Sequence, residues 1–282
     1  MSNLIQIKKI LEKYNKIPKK SLGQNFLTNA EIAKKIAGIN ADGCDGAIEI
    51  GPGTGVLTRE LCRLYKKVAS IELDRDFEPV LGETLGGFEN CKIIFGDVLK
   101  TDLHDVIQRE LSGCDKISVC ANLPYYITTP VILKLSKLSK GNICQITVMV
   151  QKEAADRLCA RAGDKNYGAT SAFVSYCGEA KKMFNVPKSD FYPMPKALST
   201  VVNIVPHKKP AASPKSEELM YKTIEAAFGQ RRKTLVNALA SGLGADKAKV
   251  ADIVKKLTNN EHIRGEELDI KAFSDISDLI FT

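Results

Sequence analysis

The chain has 282 residues, 44% of them hydrophobic, enough for one large α/β domain with a small companion and too many for a disordered protein. The 41 Lys and Arg against 33 Asp and Glu leave a formal charge of +8, an excess that suits an anionic partner. No apolar run approaches the roughly 18 residues of a membrane span, the N-terminus lacks a secretory h-region, and no C-x-x-C pair or nearby His offers a zinc site. The expectation is a soluble, cytoplasmic, monomeric protein with no metal and no membrane contact, its eight cysteines reduced and mostly in the core.

Ile7, Ile10, Leu11 and Tyr14 recur at helical spacing among lysines and predict an amphipathic N-terminal helix. From Ala47 onward, β-rich runs alternate with helical patterns: A-I-E-I, K-V-A-S-I-E-L, C-K-I-I-F, K-I-S-V-C-A and I-C-Q-I-T-V-M-V, separated by helices near 55–65, 75–85, 103–111 and 129–138. That alternation predicts a doubly wound, Rossmann-like parallel sheet. Runs at 171–177, 182–186 and 199–205 read as further strands. The Pro-rich stretch P-H-K-K-P-A-A-S-P-K at 206–215 marks a linker between a domain at 1–205 and a small all-helical domain at 216–282.

The strand I-E-I runs into G-P-G-T-G at 51–55, a turn in which Gly51 and Gly53 let backbone pass close to a cofactor. A dinucleotide fingerprint wants its third glycine one residue later, where Val56 stands, so a nicotinamide cofactor fits poorly. Glu72 ends the next strand and can accept both ribose hydroxyls of an adenosine. Asp97, in F-G-D, ends the third and can accept from an adenine amino group. Two acids and no phosphate cradle favour S-adenosylmethionine as methyl donor.

The fourth strand delivers Asn122-Leu123-Pro124-Tyr125 to the carboxyl edge of the sheet, where ligands of open α/β sheets bind. None of these is a nucleophile or a base, yet an adenine amino group needs shaping more than deprotonation, because its lone pair is delocalised into the ring. Asn122 Oδ1 and the Leu123 carbonyl can each accept one amino hydrogen, with Pro124 fixing the backbone between them. Tyr125 can stack on the base, worth about 1–3 kcal/mol. Cys120, two residues upstream, belongs to the apolar strand and reads as a core thiol.

The ordered set S-L-G-Q-N-F-L (21–27), E-I-G-P-G-T-G-V-L-T (49–58), I-E-L-D (71–74), G-D-V (96–98), N-L-P-Y (122–125), Q-K-E (151–153), F-Y-P-M-P-K (191–196) and F-G-Q-R-R-K-T-L-V-N-A-L (228–239) resembles the bacterial small-subunit type of ribosomal RNA adenine N6,N6-dimethyltransferases. The resemblance runs from about residue 18 to the C-terminus. It implies that Asn25 and Leu27 join Gly51, Gly53, Glu72, Asp97 and Asn122 around the cofactor, and that Phe191 faces Tyr125 across the target base. It also implies the target: two adjacent adenosines in a hairpin loop near the 3′ end of 16S rRNA, within the small ribosomal subunit. Tyr126, where relatives often have Asn, and Ala197-Leu198 depart from the family pattern.

Between residues 181 and 235 there are eleven Lys or Arg against four acids, and Arg231, Arg232 and Lys233 form the densest piece, an expected phosphate-binding surface. Alternatives are an enzyme that methylates adenine in 23S rRNA, a factor whose main act is binding the immature subunit, and a DNA adenine methyltransferase. The Q-R-R-K-T-L helix and the full C-terminal domain count against the first, and the last would not need this C-terminal domain.

Overall fold

The computed structural model describes residues 3–39, 41–124, 127–138, 142–230 and 232–282. Tyr125, Tyr126 and Arg231, singled out from the sequence, lie outside the described residues. Two compact units emerge: Met1–Ala155 with Lys181–Pro206, and Asp156–Ala180 with His207–Thr282.

In chain order the first part carries α1 (Asn3–Lys13), β1 (Phe26–Leu27), α2 (Ala30–Gly38), β2 (Gly46–Ile50), α3 (Val56–Leu64), β3 (Lys67–Glu72), α4 (Glu78–Leu85), β4 (Cys91–Phe95), α5 (Leu103–Glu110), β5 (Ile117–Asn122), α6 (Thr128–Leu138) and β6 (Ile143–Gln151). Then follow α7 (Lys152–Leu158), α8 (Ala169–Cys177), β7 (Gly178–Val186), β8 (Phe191–Tyr192) and β9 (Ser199–Pro206). Seven strands form one sheet in the order β4-β3-β2-β5-β6-β9-β7. The first five are parallel, as the alternating pattern predicts, and β9 returns antiparallel to β6. Every residue of β2 is buried, the signature of a central parallel strand covered on both faces.

Apolar faces at helical spacing explain the packing. Ala33, Ile36 and Ala37 of α2 and Leu57 and Leu61 of α3 are buried against Ala47, Val68, Cys120, Met149 and Val201 of the sheet. The amphipathic α1 predicted from the sequence buries Ile7 and Leu11 against Phe26, Phe77 and the α4 residues Val80, Leu81 and Leu85. Asn29 caps α2, its Oδ1 accepting from the Glu31 and Ile32 N–H groups, as an Asn at this position should.

Two expectations change. The run S-A-F-V-S-Y-C at 171–177 is helical, not a strand: a continuous apolar stretch reads the same in a buried strand and a buried helix. Here Ser171 Oγ accepts from the Gly168 N–H and starts the helix. Cys44 and Cys144, expected to be reduced, are joined by a disulfide across 100 residues of sequence. Cys44 precedes β2 and Cys144 lies near the start of β6; parallel strands begin at one edge of the sheet, so the fold brings them together where sequence spacing gives no hint.

The second unit contains α8 together with α9 (Glu217–Gly229), α10 (Leu235–Leu243), α11 (Lys247–Thr258) and α12 (Ile270–Ile280). It is helical as expected, but it also takes 156–180, which the sequence reading assigned to the first domain. The reason is aromatic: Phe173 meets Tyr221 edge-on at 5.0 Å, Tyr167 meets Phe228 at 5.7 Å, and Tyr176 Oη donates to Glu217 at 2.7 Å. Gly242 permits the close approach of α10 to α9, since a Cβ there would lie 2.7 Å from that of Ala226.

Candidate active site

At the carboxyl edge of the sheet, the ends of β2, β3, β4 and β5 enclose a cavity of about 320 Å³. Asn25, Leu27, Gly51, Gly53, Glu72, Asp97, Asn122, Leu123, Pro124 and Phe191, all predicted from the sequence or the resemblance, line it. The geometry around each follows from its element.

The glycine loop after β2 holds Gly51 at φ +73°, Gly53 at +56° and Gly55 at +81°, a left-handed series that residues with side chains adopt at a cost. Gly53 is constrained twice, because a Cβ there would come within 2.8 Å of the Phe26 ring. Its N–H donates to Glu72 Oε2 at 3.1 Å, while the Asp74 N–H donates to Oε1 at 2.9 Å. Glu72 is thus fixed in one rotamer and only 6% exposed, and burial raises its pKa. Asp97 follows β4, its Oδ1 accepting from the Leu99 N–H at 2.9 Å.

Asn122, the last residue of β5, donates from Nδ2 to the Asn25 carbonyl at 3.1 Å. That bond commits the amide nitrogen and leaves Oδ1 as the acceptor of a residue that lines the cavity. Leu123 is buried, its N–H donating to the Met149 carbonyl. The Pro124 carbonyl accepts from the Ile127 N–H and from Thr128 Oγ1 at the start of α6. Phe191, 5% exposed, is held by the short antiparallel pair β1–β8, in which Leu27 faces Phe191 and Phe26 faces Tyr192. Two bonds to Asp190 tighten this pair: one from the Thr28 N–H to its carbonyl, one from Asn29 Nδ2 to its carboxylate.

Glu49 belongs to this site too, although no motif in the sequence singles it out. It lines the same cavity from within β2, is 1% exposed, and accepts from Ser70 Oγ at 2.9 Å. Burial pushes its pKa up to about 7. The folded protein therefore binds this proton more tightly than the unfolded chain, so stability falls as pH rises from about 4.5 to about 7 and stays reduced above that. Glu49→Gln is expected to stabilise the ligand-free protein at pH 8 by up to about 3 kcal/mol and to change little at pH 4.5. Thermal melts across that range check this, and a pH-independent difference between variant and wild type would refute it. The signal was present in the sequence as a lone acid inside an otherwise apolar strand.

Arg232 and Lys233 are exposed just before α10, in the second unit. The basic run of 181–235 divides, with Lys181, Lys182, Lys188 and Lys196 belonging to the first unit and the rest to the second. Among the described residues no group of three or more His, Cys, Asp or Glu could hold a metal ion, and no helix is long and apolar enough to cross a membrane.

This sheet order, with a glycine loop after β2, an acid ending β3 and another following β4, defines a Rossmann-like S-adenosylmethionine-dependent methyltransferase. The residues fit that cofactor: Glu72 is a buried carboxylate preset by two N–H groups, and Gly53 leaves no room for a side chain between the loop and Phe26. Residues 15–280 match the model of the ribosomal RNA adenine dimethylase family, and the chain belongs to that family. A protein of Geobacillus sp. (strain WCH70) named ribosomal RNA small subunit methyltransferase A is 42% identical over 278 residues, covering 97% of this chain and 95% of that one. Its namesake in Clostridioides difficile (strain 630) is 41% identical over 277 residues, covering 98% and 95%. Among solved structures, a dimethyladenosine transferase from Plasmodium falciparum superposes with a TM-score of 0.70 at 27% identity, covering 89% of this chain and 95% of that one. The 23S rRNA methyltransferase ErmE, at 20% identity and a TM-score of 0.64 over 92% and 100% of the two chains, shares the fold.

Proposed function

We propose that the protein dimethylates the N6 amino groups of two adjacent adenosines in a hairpin loop near the 3′ end of 16S rRNA, acting on the small ribosomal subunit in the cytoplasm and contributing to its biogenesis. The observation that carries this reading is the bond from Asn122 Nδ2 to the Asn25 carbonyl, which commits the amide nitrogen and supports Oδ1 as an acceptor in the cavity that Asn122 lines with Glu72 and Phe191. Two relatives named for the small subunit, above 40% identity over nearly the whole chain, support the choice of subunit.

In this reading Gly51, Gly53, Glu72, Asp97, Asn25 and Leu27 hold the cofactor: Glu72 accepts from the ribose hydroxyls, and Asp97 accepts from the adenine amino group. When bound, S-adenosylmethionine supplies a methyl group already activated on a sulfonium. Asn122 Oδ1 and the Leu123 carbonyl accept the two hydrogens of the target amine and keep its lone pair on nitrogen. Phe191 packs against one face of the flipped base, and Tyr125 is assigned to the other. No side-chain base is needed beforehand, since the amine becomes acidic on methylation and then releases its proton to water. A second methylation of the same nitrogen uses the one hydrogen that remains, held by either acceptor.

The test is methyl transfer to small subunits from cells lacking the modification, followed by digestion and mass spectrometry of the nucleosides. N6,N6-dimethyladenosine at two adjacent positions is expected; its absence there, or its appearance on large subunits instead, would overturn the reading. Arg231, Arg232 and Lys233 are assigned to rRNA phosphates. Replacing Arg232 and Lys233 by alanine is expected to weaken subunit binding and to lower the slope of log affinity against log salt by about 1.4–1.8. An unchanged slope in a salt titration would remove both residues from the interface.

A further inference from the structure

Four consecutive residues of the N-terminal segment each touch a different part of the site. Gln24 reaches the turn after β3, the Asn25 carbonyl holds Asn122, Phe26 lies on Gly53, and Leu27 pairs with Phe191. The first of these contacts has the most polar anchoring. Asp74, with a side chain 5% exposed, accepts from Lys19 Nζ at 2.9 Å on Oδ1 and from Gln24 Nε2 at 3.0 Å on Oδ2. Lys19 Nζ also reaches Asp76 Oδ2 at 2.7 Å. The Gln24 amide is used at both ends, its Oε1 accepting from the Lys19 N–H at 2.7 Å. On its other side Asp74 gives its backbone N–H to Glu72 Oε1.

We infer that Asp74, gripped by Lys19 and Gln24, is a positioning residue that locks segment 19–27 onto Glu72, so that the ribose carboxylate and the Asn122 amide are set by one strap. The inference rests on the roles proposed above for Glu72 and Asn122. Its physical basis is that both ends are rigid and the link between them is short. Asp74 is buried and charged, so its carboxylate must be paired, and three donors come from the strap and its own turn, the third being the Asp76 N–H at 3.2 Å. One residue after Gln24, the strap's own backbone holds the nitrogen of Asn122. Releasing the strap from Asp74 therefore frees two things at once: the turn that presents Glu72, and the carbonyl that orients Asn122.

The test compares binding of S-adenosylhomocysteine with that of its analogue lacking the ribose 2′ and 3′ hydroxyls, by calorimetry, for wild type, Glu72→Gln, Gln24→Ala and Asp74→Asn. Gln24→Ala and Asp74→Asn are expected to weaken S-adenosylhomocysteine about fivefold to tenfold and the analogue by a clearly smaller factor, because the turn that presents Glu72 serves only the hydroxyls, whereas Asn25 and Leu27 of the strap meet both ligands. Gln24 sits in a half-buried turn, so Gln24→Ala decides the matter should Asp74→Asn fail to fold. At saturating cofactor Gln24→Ala is also expected to lower kcat, and to lower it no further when Asn122 is already alanine. If Glu72→Gln weakens both ligands equally, the assignment of Glu72 fails and the strap falls with it. If Glu72→Gln discriminates and the two strap variants do not, the strap alone is overturned. Equal losses on both ligands would mean that Gln24 and Asp74 only support the fold.

Discussion

Replacing Asn122 with alanine is expected to lower methyl transfer about 100- to 1000-fold while S-adenosylhomocysteine affinity falls less than tenfold. The separation follows from what the amide does. Asn122 lines the cavity with its nitrogen committed to the Asn25 carbonyl, its oxygen is proposed to receive the target amine, and an acceptor preorganised for a reacting group matters most in the transition state. Asn122→Asp is the sharper variant: it keeps the shape, puts a carboxylate where an amide nitrogen now donates to a carbonyl, and sets oxygen against oxygen at 3.1 Å. It should lose at least as much activity as the alanine variant. Single-turnover methyl transfer, with binding followed separately, makes the comparison. Activity within tenfold of wild type in Asn122→Ala would show that the amine needs no such acceptor.

The second large effect is expected at Glu72. Hydrogen bonds to a charged acceptor contribute about 1.5–3 kcal/mol, so Glu72→Gln should weaken S-adenosylhomocysteine by roughly 10- to 150-fold. A pH signature accompanies it. Burial raises the Glu72 pKa, so the carboxylate proposed to receive the ribose hydroxyls is lost at a higher pH than an ordinary glutamate would be as the solution is acidified. Cofactor affinity should therefore be full at neutral to alkaline pH and decline on the acid side, and Glu72→Gln should flatten that decline. Calorimetric titrations from pH 5 to 8 measure both effects; a wild-type profile as flat as the variant's would argue that another group receives the ribose.

Much of the site could be read in the sequence, because its main pieces are local. A strand that runs into G-P-G-T-G, and an acid at or just past the end of each of the next two strands, say where a cofactor can lie, since residues at parallel strand ends share one edge. Asn122 was legible for the same reason. Asn25 and Leu27 were not, except by resemblance: they reach the cavity through a two-residue strand paired to β8, and no periodicity announces a pair so short. The Lys19, Gln24 and Asp74 contacts span 50 and 55 residues and join side chains that look like ordinary surface polar groups. Asp74 and Asp76, flanking Arg75 just past Glu72 and Leu73, offer a hint, and a charge so placed is as often solvated as paired. The misread strand at 171–177 shows the opposite limit, since its apolar content was plain but the partner that made it helical lies beyond residue 216.

That last contact has a bearing on how the protein can be cut. The helical unit is assembled from two stretches of chain, with the whole of β7, β8 and β9 synthesised between most of the first and all of the second. A polypeptide ending at residue 206, where the Pro-rich linker invites truncation, keeps α8 and loses Tyr221, the ring on which both Phe173 and Tyr176 rest. On the ribosome, the first stretch likewise emerges and must wait, its apolar surface uncovered, until α9 has been made. The linker thus separates two regions of the sequence but not two independent folding units.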